Sequence, residues 1–398
     1  MSTPERKKQG APMITLDDFV YDPFSPAFQD EMYDTYRTLR DDFPAYYNDR
    51  RNFWALSRFD DVWQALHDPQ AFSSEVDVGL GFLPMMIFTD SPTHDRLRAL
   101  VSRAFTPRRI ADLEPLVENV AARLLASMVQ RGGGDIIRDL AAPLPSTVIG
   151  ELIGVPVDQQ PEFREWAEDL VAADPNAGAV PASALSIYEC FATLFEQRRR
   201  EPRDDLMSAL LVAEIEGSRL TQDELLGFCF LLLVAGNDNT TNLIGNGAAL
   251  LARHPDQRRL LAAEPHLLPG AIEEMLRYDS PAQALPRRAT TDIDIHDQTI
   301  PAGAPVTLVW GAANHDDREF EHPERFDIHR RIDRHVAFGH GLHFCLGASL
   351  ARLEARAAFQ LLLDRAPDYE LVDDASPRVT SGWARGFSQL PVSFTTAK

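Results

Sequence analysis

The sequence predicts a single large domain that is mainly helical, with a minor β region segregated from the helices. Three observations support this fold class: apolar residues recur at helical spacing over long segments, strand-like alternation is confined to short stretches, and no linker divides the 398 residues. The short breaks at 131–134 and 173–178 have the length of loops between helices. We therefore expect one domain over residues 26–398, preceded by a flexible N-terminal arm over residues 1–25.

Two of the helical segments are amphipathic. Residues 107–130 carry apolar side chains at three- and four-residue steps until a run of glycines ends the pattern. Residues 346–361 repeat this spacing, and Pro367 ends the segment. Both patterns predict helices with one face against the core.

A third helix is predicted to be unusually long. Thr221-x-x-Glu224 has the pattern of a capping box, and no helix-breaking residue follows until His254-Pro255. About 32 residues at ~1.5 Å each would span roughly 48 Å, enough to cross the whole domain.

Strand signals are fewer. Residues 53–57 have the composition of one strand. Residues 293–310 indicate hairpins broken at 296–297 and at 301–303, where turn-forming residues interrupt the apolar pattern.

Charge and cysteine content exclude several classes of protein. With 39 Lys and Arg against 60 Asp and Glu, the net charge of −21 is unsuited to binding nucleic acid or an anionic membrane through the overall field. Three cysteines at wide spacings indicate neither a disulfide framework nor a zinc site, and favour a reducing, cytoplasmic compartment. The longest apolar run, residues 225–236, falls short of the roughly 20 residues that span a bilayer.

The stretch Phe338-Gly-His-Gly-Leu-His-Phe-Cys-Leu-Gly347 is the most informative part of the chain. Its cysteine, Cys345, directly precedes a predicted helix, where free backbone N–H groups and the helix dipole stabilise a thiolate. Its glycines allow the backbone to approach a flat or bulky group closely. A cysteine buried in a tight turn is the alternative interpretation of the cysteine alone.

This stretch resembles the haem-binding loop of the cytochrome P450 family, Phe-x-x-Gly-x-x-x-Cys-x-Gly. Phe338, Gly341, Cys345 and Gly347 occupy every fixed position of that pattern. The resemblance covers the chain from about residue 20 to residue 395. It implies haem b (iron protoporphyrin IX) as the cofactor, with Cys345 as the thiolate ligand of its iron.

Two further segments match this family. Glu274-x-x-Arg277 alone would be taken for a solvated ion pair on a helix surface. In the family, a Glu-x-x-Arg pair on a helix interacts with the arginine of a later Pro-x-Arg-Phe segment, which is Arg325 here. These three residues are implied to be structural. The resemblance also implies that Ala235 and Gly236 lie over the haem.

The acid and alcohol that follow in the family relay protons during oxygen activation. Asp238 fills the acid position, but Asn239 stands where the alcohol is expected. The neighbouring hydroxyl of Thr240 is kept as a candidate, although one helical step turns a side chain by about 100°. Because an amide can hold a water molecule but has no hydroxyl, we expect protons to pass through an ordered water here. A solvent-filled kink without function is the alternative.

Four residues match the family's contacts to the haem carboxylates: His94, Arg98, Arg287 and His343. Cationic and donor side chains are the types that buried carboxylates require. Arg288 competes with Arg287, which is preferred for its offset from Asp292.

By the same resemblance, a set of mostly apolar residues is expected to line the substrate pocket, although each apolar one could equally belong to the ordinary core. The set is Met86, Ile87, Leu232, Ala235, Asn239, Leu285 and Phe387.

Two basic segments suggest a partner. Residues 91–109 hold five arginines against one aspartate, and residues 325–335 hold four arginines against two aspartates. In the family both segments lie on the face nearest the cysteine, where an acidic iron–sulfur ferredoxin would dock. The alternative is that these charged residues only face solvent, as most runs of charged residues do. Since no flavin or nicotinamide motif appears, electrons from NAD(P)H would arrive through a reductase and this ferredoxin.

The sequence therefore predicts a monomeric haem-thiolate monooxygenase that inserts one atom of O2 into a small or medium apolar organic substrate. The alternatives are a peroxide-driven enzyme or an oxidative-coupling enzyme of the same fold, and a non-catalytic haem protein that binds a gas. Peroxide-driven relatives carry Arg-Pro where this chain has Asp238-Asn239. Retention of Asp238 also argues against a gas carrier.

Overall fold

The structure, a computed structural model, describes residues 19–25, 28–76, 84–156, 158–172 and 182–394. It confirms the mainly helical fold class. The helices of the described residues are α1 (Phe28–Asp42), α2 (Phe59–His67), α3 (Thr93–Ala104), α4 (Pro107–Asp112), α5 (Glu114–Arg131), α6 (Pro143–Ile153), α7 (Gln160–Ala172), α8 (Ala182–Arg200), α9 (Leu206–Val212), α10 (Gln222–Arg253), α11 (Pro255–Ala263), α12 (Leu268–Tyr278), α13 (Trp310–Ala313) and α14 (Ala348–Arg365).

The strands are short and belong to small sheets. They are β1 (Ala45–Asn48), β2 (Phe53–Leu56), β3 (Phe72–Ser73), β4 (Gly133–Asp135), β5 (Glu214–Ile215), β6 (Ser218–Arg219), β7 (Leu285–Ala289), β8 (Ile293–Ile295), β9 (Gln298–Ile300), β10 (Pro305–Leu308), β11 (Glu370–Leu371) and β12 (Pro391–Ser393). The main sheet has the order β1-β2-β10-β7-β3, and β11-β12-β4 form a second sheet. Among these described strands, β2 and β10 pair in parallel and the other pairs are antiparallel.

The long helix predicted from the capping box is α10, and it runs through the centre of the larger hydrophobic core. The Thr221 side chain accepts a hydrogen bond from the Glu224 backbone N–H at 3.2 Å, and the Glu224 carboxylate accepts one from the Thr221 N–H at 2.8 Å. Because α10 packs against α6, α12 and α14, it connects the elements that surround the site. No helix within the described ranges is long and apolar enough to cross a membrane.

Three local expectations are corrected. The helix predicted over 107–130 is divided at Leu113 into α4 and α5, because Pro115 lacks a backbone N–H and fits only a first helical turn. The hairpin β8–β9 forms with its turn at 296–297, but the second predicted hairpin is wrong, since β10 pairs with β2 and β7. The glycine run is not a loop between helices, because Gly133 and Gly134 belong to strand β4. Residues 173–178 lie outside the described residues.

The end of the predicted N-terminal arm is packed rather than flexible. Tyr21 is fully buried, and its ring meets those of Phe28 and Phe53 edge-on. The Asn48 amide donates to the Tyr21 carbonyl at 2.7 Å. Residues 1–18 of the arm lie outside the described residues.

Candidate functional site

The loop that carries Cys345 is held in a tight path before α14, in the segment that follows α13. Gly339 and Gly341 have φ values of 63° and 65°, in the left-handed region that glycine adopts without strain. A side chain at Gly341 would also collide with the backbone carbonyl of Leu66. The loop closes where the Cys345 N–H donates to the Phe338 carbonyl at 3.0 Å.

The Cys345 sulfur lies at the first turn of α14. The backbone N–H groups of Gly347 and Ala348 lie close to it and favour its charged form. Burial raises the pKa of the Cys345 thiol, while these amides and the cations of Arg98 and Arg352 act in the opposite sense. A metal cation at the sulfur would supply the further positive charge that favours the thiolate.

The four predicted carboxylate-binding residues converge. His94 and Arg98 lie on α3, Arg287 lies in the middle of β7, and His343 is in the cysteine loop. The ring centroids of His94 and His343 are 4.1 Å apart. Burial lowers the pKa of His343 to about 3 and that of Arg287 to about 10, and the neighbouring cations lower the pKa of His343 further.

This cationic cluster has unfilled hydrogen-bonding capacity. The Nε2 atoms of His94 and His343 are buried without a partner, and Arg98 makes no hydrogen bond to any other described residue. The nearby carboxylate of Asp90 is already occupied, because it accepts hydrogen bonds from the Ser73 hydroxyl at 2.6 Å and from a backbone N–H. Several buried donors without an acceptor fit a group that brings its own carboxylates, as haem b does.

The middle of α10 is more accessible than the turns on either side of it. Residues 225–230 and 240–251 are buried, whereas most residues from 231 to 239 are partly accessible. Ala235 and Gly236 belong to this accessible segment, and a side chain at Gly236 would approach Ile149 within 2.9 Å. An accessible stretch at the centre of a long and otherwise mostly buried helix fits a wall over a bulky cofactor and its substrate.

The polar residues of this segment have distinct surroundings. The Asn239 amide donates to the Ala235 carbonyl at 3.1 Å, so its side-chain oxygen remains available as an acceptor. One Asp238 oxygen accepts from the Asn242 amide at 3.4 Å, and burial raises the pKa of Asp238. Thr240 is buried, with only 4% of its surface exposed, and is turned away from the accessible segment.

The Glu274–Arg277 pair is fully buried, which removes the surface interpretation. The Arg277 Nε and Nη2 atoms donate to the two carboxylate oxygens of Glu274 at 2.7 and 2.8 Å. Arg277 also donates to the Pro323 carbonyl at 3.0 Å, which ties α12 to the segment before the cysteine loop.

The prediction that Arg325 pairs with Glu274 and Arg277 is wrong. Its side chain is 71% exposed and lies 3.8 Å from Asp327. Arg330 occupies the third position instead, with its Nε atom 3.2 Å from the Glu274 carboxylate. The turn at 327–330 folds Arg330 back towards α12, and the residue types alone gave no means of choosing between the two arginines.

The predicted pocket residues do not form one group. Leu232 lies on the accessible segment of α10, and Ile87 and Leu285 are half-buried. Met86 is buried against α3 and the first turns of α10. The prediction that Phe387 lines the pocket is wrong. The Arg378 guanidinium covers its ring at 3.9 Å, and the ring lies near Arg253 at the C-terminal end of α10.

Much of the predicted basic surface is neutralised within the protein. Arg330 is taken up by Glu274, and other arginines of the two segments meet acids that are distant in sequence. These pairs are Arg96 with Glu224, Arg109 with Asp204, and Arg334 with Glu319. Arg108 and Arg331 are exposed and form no ion pair with another described residue.

Comparison with known proteins agrees with this geometry. The family model described as Cytochrome P450 matches residues 186–380. The chain is 41% identical to the Putative cytochrome P450 123 of Mycobacterium tuberculosis, over 96% of this chain and 98% of that one. It is 40% identical to the Vitamin D(3) 25-hydroxylase of Pseudonocardia autotrophica, over 94% of this chain and 96% of that one.

A solved structure has the same fold. Cytochrome P450 CYP109Q5 from Chondromyces apiculatus superposes with a TM-score of 0.89 at 37% identity, covering 95% of this chain and 98% of that one. Together with the cysteine loop and the cationic cluster, these similarities show that the chain belongs to the cytochrome P450 family of haem b monooxygenases.

Proposed function

We propose that this protein inserts one atom of O2 into a small or medium apolar substrate at a haem b whose iron is bound by Cys345. The observation that carries the proposal is the placement of the Cys345 sulfur at the N-terminus of α14, near Arg98, Arg287 and two histidines whose buried Nε2 atoms have no hydrogen-bond partner. A bound haem supplies the redox chemistry that activates O2 for this insertion.

His94, Arg98, Arg287 and His343 would hold the haem carboxylates. Their buried nitrogen atoms gain acceptors in this arrangement, and the carboxylates gain counter-charges. Charge-assisted hydrogen bonds of this kind fix both position and orientation. The site residues would thereby place the cofactor beneath the accessible segment of α10.

Asp238 and Asn239 would manage protons. Since one Asp238 oxygen accepts from Asn242, the other oxygen is the atom that takes up and releases a proton. Burial raises the pKa of Asp238, which increases the share of its protonated, donating form near neutral pH. The free side-chain oxygen of Asn239 would hold the water through which the proton passes.

Two substitutions test this assignment. We expect Asp238→Asn to slow turnover severely, because the group that carries the proton is lost, and Asn239→Thr to remain active. The substrate-induced change in the Soret band serves as the control for binding and should be unchanged in both. Equal turnover of Asp238→Asn and the parent would overturn the assignment.

The substrate class is proposed to be an apolar molecule about the size of a sterol. The accessible face of α10 presents Leu232 and Ala235, which recognise substrate by apolar contact rather than by charge. The name of one relative, a vitamin D(3) 25-hydroxylase, points the same way. Optical titration of the ferric protein with grouped libraries of sterols, fatty acids and terpenes tests this, and a saturable response to another group alone would contradict it.

Electrons are proposed to reach the haem from NAD(P)H through a reductase and a ferredoxin. Arg108 and Arg331 retain unpaired charge for contact with an acidic partner. Oxygen-dependent NADH consumption with a surrogate ferredoxin is expected, and it should slow as salt is added. Turnover with peroxide but none with the ferredoxin would favour a peroxide-driven enzyme. A cytoplasmic location and a monomeric state remain predictions.

A further inference from the structure

A second ion pair lies beside the cysteine loop, on the side of Phe338. Arg352, on α14, donates from Nε and Nη2 to the two carboxylate oxygens of Glu273 on α12, at 2.7 and 2.8 Å. The same guanidinium lies 4.6 Å from the centre of the Phe338 ring. Because the Phe338 carbonyl accepts the Cys345 N–H, this pair reaches the sulfur through a short, continuous set of contacts.

The charge of this cluster can be assigned from its hydrogen bonds. The Ala337 N–H donates to Nδ1 of His335 at 3.1 Å, so this nitrogen carries no proton. The other ring nitrogen, 3.0 Å from the Glu273 carboxylate, is then the donor, and the ring is neutral. The cluster therefore holds one positive charge on Arg352 and one negative charge on Glu273.

The two charges act on Cys345 unequally. Arg352 contacts the Phe338 ring of the cysteine loop directly. Glu273 is one step further away, because its carboxylate is hydrogen-bonded to Arg352 and His335. Reduction of a bound ferric iron adds one negative charge at this place. A nearby cation stabilises that added charge, and a nearby anion opposes it.

We propose that Arg352 is a positioning residue that raises the reduction potential of the haem bound at Cys345, and that Glu273 both orients this cation and limits its effect. The inference rests on the proposed function, because it requires Cys345 to be the iron ligand. It adds an electrostatic control that the cysteine motif does not contain.

The test is the midpoint potential for one-electron reduction of the haem-loaded ferric protein, with dithionite as the electron donor and redox dyes as mediators. Arg352→Gln should shift the midpoint to more negative values. Glu273→Gln should shift it to more positive values, since the glutamine oxygen still accepts from His335 and Arg352. The double variant should lie between Arg352→Gln and the parent, because the nearer charge has the larger effect.

The opposite signs separate an electrostatic role from a structural one. If the pair only braced the loop, both substitutions would shift the midpoint in one direction or leave it unchanged, and either result would overturn the proposal. Should Arg352→Gln fail to bind haem, the sign of the Glu273→Gln shift alone decides. Arg352→Lys keeps the charge and should stay near the parent.

A matched control lies one turn further along α14. Arg356 pairs with Glu114, and both side chains are 43% exposed, so solvent screens their charges. Arg356→Gln should leave the midpoint unchanged. The optical spectrum of the reduced CO complex separates failure of the proposed function from failure of the role of Arg352. A parent protein without a thiolate-type band would refute the proposed function. A parent with this band, but variants with unshifted midpoint potentials, would refute only the role of Arg352.

Discussion

Glu354 is expected to reduce the stability of the protein as the pH rises. This residue of α14 is 1% exposed, its Oε1 atom has no hydrogen-bond partner, and burial raises its pKa from 4.5 to about 8. Between these two pKa values the folded protein holds a proton that the unfolded chain has lost. The free energy of unfolding therefore falls by about 1.4 kcal/mol for each pH unit in this window, which amounts to about 3 kcal/mol at pH 7.

Glu354→Gln keeps the shape of the side chain and removes the ionisation. Urea unfolding, followed by tryptophan fluorescence, measures the free energy of unfolding at about pH 5.5 and about pH 7.5. Over this interval the parent should lose about 3 kcal/mol more than the variant. The same change at the exposed Glu118 is the control and should alter stability by less than about 0.5 kcal/mol. Parallel pH curves for Glu354→Gln and the parent would show that the Glu354 carboxyl does not hold this proton in the folded protein.

Two other predictions concern corrected residues. Arg330→Ala should lower the free energy of unfolding by about 3 kcal/mol, because it leaves the buried Glu274 carboxylate short of a partner. Arg325→Ala should change it by less than about 0.5 kcal/mol. Urea unfolding of both variants measures these changes, and similar losses in the two would contradict the placement of Arg330. Phe387→Leu should leave the substrate-induced Soret shift unchanged, whereas Leu232→Ala should weaken it, because Leu232 lies on the accessible part of α10 and Phe387 does not. Optical titration of both variants measures this. A weakened response in Phe387→Leu would show that Phe387 lines the substrate pocket.

Local signals carried most of what the sequence could predict. The capping box at Thr221 and the unbroken apolar pattern after it depend on neighbours within a few turns, so α10 was predicted with nearly correct ends. The cysteine loop is equally local, because glycine positions and the following helix together determine its path. Pro115 gave a local signal for the division of α4 from α5, but the apolar periodicity across it obscured that signal.

Interactions between distant parts of the chain could not be predicted in the same way. Arg330 and Arg325 differ only in which side of a turn faces Glu274, and that depends on how the segment packs on α12. The basic surface was overestimated for a similar reason. A local charge count does not include acids such as Glu224, which is 128 residues from its partner Arg96.

The central claim is that Cys345 binds the haem iron as a thiolate. The most direct test is the optical spectrum of the reduced, CO-treated protein for the parent and for Cys345→Ser, with Cys190→Ser on α8 as the matched control. We expect a thiolate-type band in the parent and in Cys190→Ser, and its loss in Cys345→Ser. A thiolate-type band that persists in Cys345→Ser would show that another residue binds the iron.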